Sequence, residues 1–175
     1  MIKKGFFLLL LLSLSTVSSA LDWYAGGGAS YIQDKILNAS FKPAAVNGRI
    51  GAYVQQQVGI EVYGLMGVNP YDDDVNIDLT HNYSIGVLAR LESPETEDGG
   101  KIYLLLGYAA TELDMDRSGT GEPGKETFTG VAYGGGVEFN ISDSNKYYVN
   151  LDVMSYYAKG DISIGSLNLG FRYRF

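Results

Sequence analysis

The residues best suited to nucleophilic chemistry are the single histidine, His81, and the hydroxyl of Ser84 three positions later. A histidine that takes the proton of a serine, and is itself oriented by a carboxylate, forms the machinery of many hydrolases. The residues around them alternate between apolar and polar, as in a β-strand, where positions of opposite parity point to opposite faces. We therefore predict His81 on the outward, apolar face and Ser84 on the other face, with no catalytic residue and no enzyme activity.

A second candidate is a calcium loop at residues 114–119, which read Asp-Met-Asp-Arg-Ser-Gly. Oxygen ligands at positions one, three and five and a glycine at six are typical of such loops. Position twelve should be a bidentate glutamate, but it is Lys125. Asp114, Asp116 and Ser118 are thus a weak calcium candidate. The chain has no cysteine, which excludes thiolate sites, and we predict neither a bound metal nor a cofactor.

The first twenty residues differ from the rest of the chain. Lys3 and Lys4 precede an apolar run over residues 5–12, and residues 18–20 are small. This order is typical of a cleaved secretory signal peptide, predicted at residues 1–20, and it leaves residues 21–175 as one domain. Without the two lysines, 11 basic residues remain against 20 acidic residues, a net charge of −9. Such acidity argues against nucleic acid as a partner.

From residue 21 onwards the dominant pattern is an alternation of period two, which predicts strands rather than helices. Most predicted strands are longer than in soluble domains, and ten tilted residues rise roughly 25 Å, the height of the apolar band of a membrane barrel. The eight predicted strands are Trp23–Ile32, Ala45–Gln55, Val58–Val68, Ile77–Leu91, Lys101–Leu113, Thr127–Ile141, Lys146–Tyr157 and Ile162–Phe175.

One face of each predicted strand is apolar. A soluble sandwich or lipocalin would bury this face and show the charged face to water, so alternation alone does not separate the two arrangements. The glycine, amide and paired-charge content of the other face fits a narrow lumen and favours the membrane barrel. We then expect no Asp, Glu, Lys or Arg on the outward face, since a lipid-facing charge is costly. The outward residues include Ile60, Val62, Met66, Tyr83, Ile85, Val87, Ile102, Leu104, Leu106, Tyr108, Val149, Leu151 and Val153.

The charged residues of the inner faces predict ion pairs in the lumen, because isolated charges in so narrow a space are strongly penalised. We interpret these charges as structural filling, and the alternative is a narrow ion path along the same residues. The predicted pairs join neighbouring strands: Glu61 with Arg90, Lys101 with Glu138, and Asp152 with Arg172.

The connections between the strands alternate in length, imperfectly. Long outer loops and short inner turns are usual in outer-membrane barrels. The outer loops are predicted at Gln33–Ala44, Asn69–Asn76, Asp114–Lys125 and Lys159–Asp161, and the inner turns at Gln56–Gln57, Glu92–Gly100 and Ser142–Asn145.

The last strand is the most specific feature of the sequence. Its aromatic residues cluster at the chain end, where a periplasmic girdle would lie. Asn168, Gly170, Tyr173 and Phe175 also resemble the β-signal of outer-membrane proteins. This resemblance implies that the barrel-assembly machinery reads the segment.

Two further stretches point to the same kind of protein: residues 22–26, which are similar to an opening strand of OmpA-type barrels, and the glycine-rich residues 128–138. Together with the last strand, they make the chain resemble the small OmpA/OmpX-like outer-membrane β-barrel family. The resemblance and the strand pattern agree on an all-β, eight-stranded antiparallel up-and-down transmembrane barrel in a Gram-negative outer membrane. The family includes adhesins, serum-resistance factors, envelope stabilisers and lipid-modifying enzymes.

The expected function is non-catalytic: a barrel that presents its first and third loops for adhesion, ligand interaction or envelope integrity. The expected partners are outer-membrane lipid and lipopolysaccharide, the barrel-assembly machinery and a host or cell-surface ligand. A narrow porin-like channel is the main alternative, and a lipid-A-modifying enzyme and a soluble lipocalin-like carrier are two others.

Overall fold

The computed structural model describes residues 21–36, 39–68, 77–117 and 124–175. The side chains of residues 36, 39–41, 77–79 and 115–117 are not described. The predicted signal peptide, the predicted loop Asn69–Asn76 and Ser118 lie outside the described residues. Within the described part of the chain, no helix is long and apolar enough to cross a membrane.

The described backbone consists of antiparallel strands joined by turns. Beta-branched and aromatic residues at alternate positions favour this extended backbone. The strands are β1 (Asp22–Ile36), β2 (Ala39–Phe41), β3 (Ala44–Gln55), β4 (Val58–Gly67), β5 (Ile77–Glu92), β6 (Gly100–Arg117), β7 (Gly124–Asn140), β8 (Tyr147–Lys159) and β9 (Ile162–Arg174).

Eight of these strands close into a barrel. They follow the order β1-β3-β4-β5-β6-β7-β8-β9, and β1 also pairs with β9, with Gly28 opposite Gly170. The short β2 pairs only with the end of β1. Closure removes the open sheet edge that would otherwise expose unpaired backbone groups. The predicted fold, an eight-stranded up-and-down barrel, is confirmed.

The two ends of the barrel differ. At one end, here called the turn end, short connections at 56–57, 93–99 and 141–146 join the strands; the opposite end is called the loop end. At the loop end the predicted boundaries were wrong. Strand β1 continues to Ile36, and Asp114, predicted to open a loop, pairs in register with Lys125. Backbone pairing continues there although the side chains turn polar, because ladder hydrogen bonds do not depend on side-chain polarity.

The outward face is apolar over most of its height. Ile102, Leu104, Leu106 and Tyr108 are each more than half exposed, as are many of their neighbours. The expectation of an uncharged outward face fails near the loop end, where Glu112 of β6 lies on this face and Lys35 of β1 is exposed on the outer wall. Glu112 shares the parity of these four residues and lies partly exposed near the loop end of β6. A charge is tolerated there because that end of a strand projects beyond the hydrocarbon.

Candidate functional site

The lumen contains three layers of side chains, stacked from the turn end to the loop end. The apolar belt in the middle is built by Leu65, Leu88, Leu105, Ala109 and Met154 with Tyr63 and Tyr156. Below it, towards the turn end, lies the charged layer, which contains Arg49, Glu61, Arg90, Glu92, Lys101, Glu138, Asp152 and Arg172. Above it lies the small polar layer of Asp34, His81, Ser84 and Thr111.

Arg90 is the centre of the charged layer. Its Nε lies 2.6 Å from Glu92 Oε1, its Nη2 lies 3.0 Å from Glu138 Oε2, and its Nη1 lies 3.4 Å from Glu61 Oε2. The guanidinium carbon also lies 3.7 Å from the centre of the Tyr103 ring. One fully buried cation thus contacts three carboxylates, a use to which the planar, multiply donating guanidinium is suited.

Two further arginines complete the charged layer. Arg172 donates to Glu138 and to the Tyr53 hydroxyl, and Arg49 Nη2 donates to Asp152 Oδ2 over 2.9 Å. Tyrosine hydroxyls satisfy more of the carboxylate oxygens. Tyr24 donates to Glu61 over 3.0 Å, and Tyr103 donates to Asp152 over 2.6 Å. The result is one connected network instead of separate pairs, as expected where each buried charge needs several partners.

The predicted pairs fit this network only in part. The structure brings Glu61 and Arg90 together, but Lys101 lies 3.0 Å from Glu95 Oε2 and forms no ion pair with Glu138. Although Lys101 and Glu138 are opposite in register, the arginines engage Glu138 from across the lumen. The predicted pairing of Asp152 with Arg172 is also wrong. Asp152 is opposite Asn168, and Arg172 is opposite Tyr148.

Sequence reasoning missed the contribution of the 93–99 turn and of Glu92. Glu92 was assigned to the turn, although it has the inward parity of Arg90, which was the available signal. The turn folds back on itself, with Thr96 N donating to Gly100 O over 2.9 Å and Gly99 at φ 76°. It carries Glu95 to Lys101 and to the Tyr148 hydroxyl. An unusually long turn therefore supplies a carboxylate to the turn end of the lumen.

The prediction for His81 was wrong. The pairing of β5 with β6 shifts between His81 and Tyr83, so Asn82 is an extra residue that reverses the parity. His81 consequently points into the lumen. Its Nδ1 lies 3.0 Å from Asp34 Oδ2, and its Nε2 lies 3.0 Å from Ser84 Oγ.

This connectivity matches that of a serine hydrolase, but the surroundings of Ser84 do not. The residue is 1% exposed, and its hydroxyl is shared between His81 and Thr111, whose Oγ1 lies 2.6 Å away. A nucleophile needs space for an acyl group beside the hydroxyl. Because Asp34 belongs to β1 and His81 to β5, with β3 and β4 between them in the barrel, we interpret the contact as a brace across the lumen.

Replacing His81 with leucine should lower the free energy of unfolding by about 1–3 kcal/mol, because the buried Asp34 carboxylate loses its hydrogen-bond donor. Denaturant titration of the refolded protein in micelles measures this. The double variant with Asp34→Asn should lose less than the two single variants added together. Additive losses would contradict the brace.

The calcium candidate is mostly not a loop. Asp114 to Arg117 belong to β6, and Asn82 Nδ2 donates to Asp114 Oδ2 and to Glu112 Oε1, both over 3.1 Å. An extended strand holds successive ligands apart instead of curling them around an ion. The side chain of Asp116 and all of Ser118 lie outside the described part, and among the described residues no three His, Asp or Glu side chains form a metal-binding group.

The four residues of the predicted assembly signal divide between the two faces of β9. Asn168 points into the lumen and donates to Asp152 Oδ1 over 2.6 Å. The Tyr173 ring lies 5.0 Å from the Tyr147 ring and 5.1 Å from that of Phe175, at the turn end of the outer wall. Gly170 lies at the seam with β1. The barrel-assembly machinery remains a predicted partner.

A comparison with protein-family models decides the family. The model described as "Outer membrane protein beta-barrel domain" matches residues 5–175. The chain belongs to this family. It is therefore a bacterial outer-membrane barrel, and the turn end faces the periplasm because short turns do so in such barrels.

No curated protein matches the sequence significantly, but solved structures of this architecture do. Ail of Yersinia pestis, in complex with the heparin analogue sucrose octasulfate, is 19% identical with a TM-score of 0.66 over 90% of this chain and 100% of that chain. Neisserial surface protein A is 18% identical, with a TM-score of 0.66 over 87% and 97%. OprG from Pseudomonas aeruginosa is 13% identical, with a TM-score of 0.63 over 89% and 96%. At these identities the likeness concerns the fold alone.

Proposed function

We propose that this outer-membrane barrel is non-catalytic and presents the paired ends of β6 and β7 as a rigid platform for a ligand outside the cell. The observation that carries the proposal is the register in which β6 and β7 pair. The two strands remain paired from Glu112 opposite Thr127 up to Met115 opposite Gly124, above the last apolar row of the outer wall. A paired hairpin holds its side chains in a fixed pattern, which lowers the entropy lost on binding.

The filled lumen supports a display role over the porin-like alternative. An ion would have to pass both the charged layer, whose arginines and carboxylates neutralise one another, and the apolar belt. Eight-stranded barrels are narrow enough for side chains to fill them. We therefore expect that the barrel produces no discrete conductance steps in planar bilayers. Reproducible steps would favour the channel.

The charge of the loop end indicates the kind of ligand. Apart from Asp34, which is buried in the lumen, residues 35–44, 69–78, 112–126 and 159–161 contain ten Asp and Glu residues against five Lys and Arg residues. Such a surface attracts cationic partners and repels polyanions. The Ail structure holds a sulfated heparin analogue. For the present chain we propose a basic protein surface on a host or neighbouring cell.

Replacing residues 114–125 by an Asn-Gly turn, which keeps the buried Leu113 opposite Glu126, should leave the barrel folded and abolish adhesion to host cells, or reduce it at least tenfold. The truncation removes only rows above the apolar wall, and Asn-Gly suits a two-residue hairpin. Heat-modifiable migration in gels and intact β-sheet circular dichroism check the fold. Binding of labelled bacteria to cultured cells checks the function.

The matched control exchanges residues 160–161, the short turn between β8 and β9, for Asn-Gly. This variant should adhere like the unaltered protein. If the truncated barrel also adheres normally, the platform proposal fails, and a role in envelope integrity becomes the better account.

A further inference from the structure

The outer wall carries a depression of about 450 Å³ near the loop end, where β1, β8 and β9 meet. Its floor consists of the small outward residues Ser155, Ser163 and Gly165. The exposed side chains of Tyr31 and Leu167, which are opposite in register, stand beside it. A depression between taller side chains on a lipid-facing wall is a slot for a hydrocarbon chain. A chain that lies in it gains dispersion contacts with the side chains around it.

A second depression of about 500 Å³ continues the first along the wall. The two share Tyr133, Val153, Met154 and Ser155. The floor of the second is Gly135, which is opposite Leu104 and Val153 in register. Apolar surface predominates in both. The two depressions, here called the wall groove, thus form one track from the loop end towards the middle of the apolar band.

Lys35 lies at the loop end of the wall groove and is exposed. It is opposite Ser163, four residues or ~13 Å along the strand above the row of Tyr31 and Leu167. The next row is Ile36 opposite Ile162, after which the chain turns at Gly160. The ammonium group therefore lies where hydrocarbon gives way to lipid headgroups.

The charges around Lys35 leave its ammonium open to an anion. The adjacent Asp34 points into the lumen, where it accepts from His81, and Asp161 of the neighbouring turn is exposed. No ion pair joins Lys35 to a carboxylate among the described residues. A lysine at a membrane surface attracts anionic headgroups.

We propose that the wall groove is a binding site for the lipid A part of lipopolysaccharide, with acyl chains in the two depressions and a phosphate on Lys35. The outer leaflet faces the loop end, and its phosphorylated lipid carries several acyl chains, which matches two joined slots below one cation. This inference goes beyond the proposed function, because that function rests on the β6–β7 platform on another part of the barrel.

Native mass spectrometry of the refolded full-length mature barrel with purified lipid A tests the site. Lys35→Gln should weaken lipid A binding about fivefold, since one lysine at the surface contributes roughly that factor. Ser155→Leu fills the slot that both depressions share and should weaken binding about tenfold. Ser163→Leu is a second filling variant. Gly165 is not used, because an added Cβ would lie 2.7 Å from the Met154 carbonyl oxygen.

The chain offers a matched control. A separate depression of about 490 Å³ lies over Gly48 and Gly64 and has no charged lining residue. A Cβ at Gly64 would meet nothing within 4 Å, so Gly64→Leu fills this site without strain. Lipid A binding should be unchanged in this variant.

Three results would overturn the proposal: equal binding by the unaltered protein and both filling variants, an equal loss in Gly64→Leu, or binding of phosphatidylglycerol as tight and as dependent on Lys35 as that of lipid A. Phosphatidylcholine should bind weakly and without dependence on Lys35. Adhesion of the filling variants should stay normal, so failure here and failure of the platform proposal are distinguishable.

Discussion

Replacing Arg90 with methionine is expected to lower the free energy of unfolding by about 3–5 kcal/mol. The methionine retains much of the volume but leaves Glu61, Glu92 and Glu138 without the cation that they share. Buried carboxylates that lose their partner carry an uncompensated desolvation cost. The measurement is equilibrium unfolding by guanidinium in micelles or vesicles, followed by the fluorescence of Trp23.

Arg174→Met is the matched control. Arg174 also forms an ion pair, with its Nη2 2.6 Å from Asp22 Oδ2, but both side chains are partly exposed at the turn end. Screened pairs of this kind contribute about 0–1 kcal/mol. Similar losses in the two variants would contradict the charged layer as a main source of stability. If Arg90→Met does not refold, Arg90→Lys should, with a smaller loss, because it keeps the charge without the planar fork.

Replacing Leu106 with arginine should destabilise the folded barrel in lipid by about 2–4 kcal/mol. The side chain is 59% exposed, and it lies midway along the apolar outer face of β6. A guanidinium there must move from water into hydrocarbon. Extension of the arginine side chain towards the lipid headgroups offsets this cost only in part. Reversible unfolding from vesicles measures the loss.

Ile102→Arg supplies the comparison for depth. Ile102 points to the same face with an exposed fraction of 62%, but it lies four residues nearer the turn end. Near the interface the same substitution should cost about 0–1 kcal/mol. Equal and small losses at both positions would mean that the apolar face does not lie in hydrocarbon.

The sequence predicted the fold well because period-two alternation carries it directly. Strand β4 was predicted to within one residue at its ends, and the inward and outward faces of β6 were assigned correctly up to Leu113. Glu112 contradicts only the expectation of an uncharged face. The alternation follows from a lipid exterior and a packed lumen, which constrain every residue of a spanning strand.

The lumen contacts were harder to predict because they depend on the stagger between neighbouring strands and on the bulge at Asn82. The shear of the barrel decides which strand levels meet, so Arg172 lies level with Tyr148 and not with Asp152. A bulge adds one residue without a clear sequence signal, and Asn82 therefore reversed the assignment of His81. Partners across the lumen, such as Asp34 and His81, are separated by 47 positions, beyond the reach of local patterns.

The seam between β1 and β9 also constrains the order of events during biogenesis. Strand β1 pairs with β3 on one side and with β9, the last strand, on the other, where Tyr24 is opposite Arg174. The cylinder cannot close until β9 has been translated and exported, and a contact between strands so distant in sequence forms slowly because of its entropic cost. Until then two strand edges stay unpaired, so an exported chain that ends near Gly165 should be exposed to chaperones and proteases.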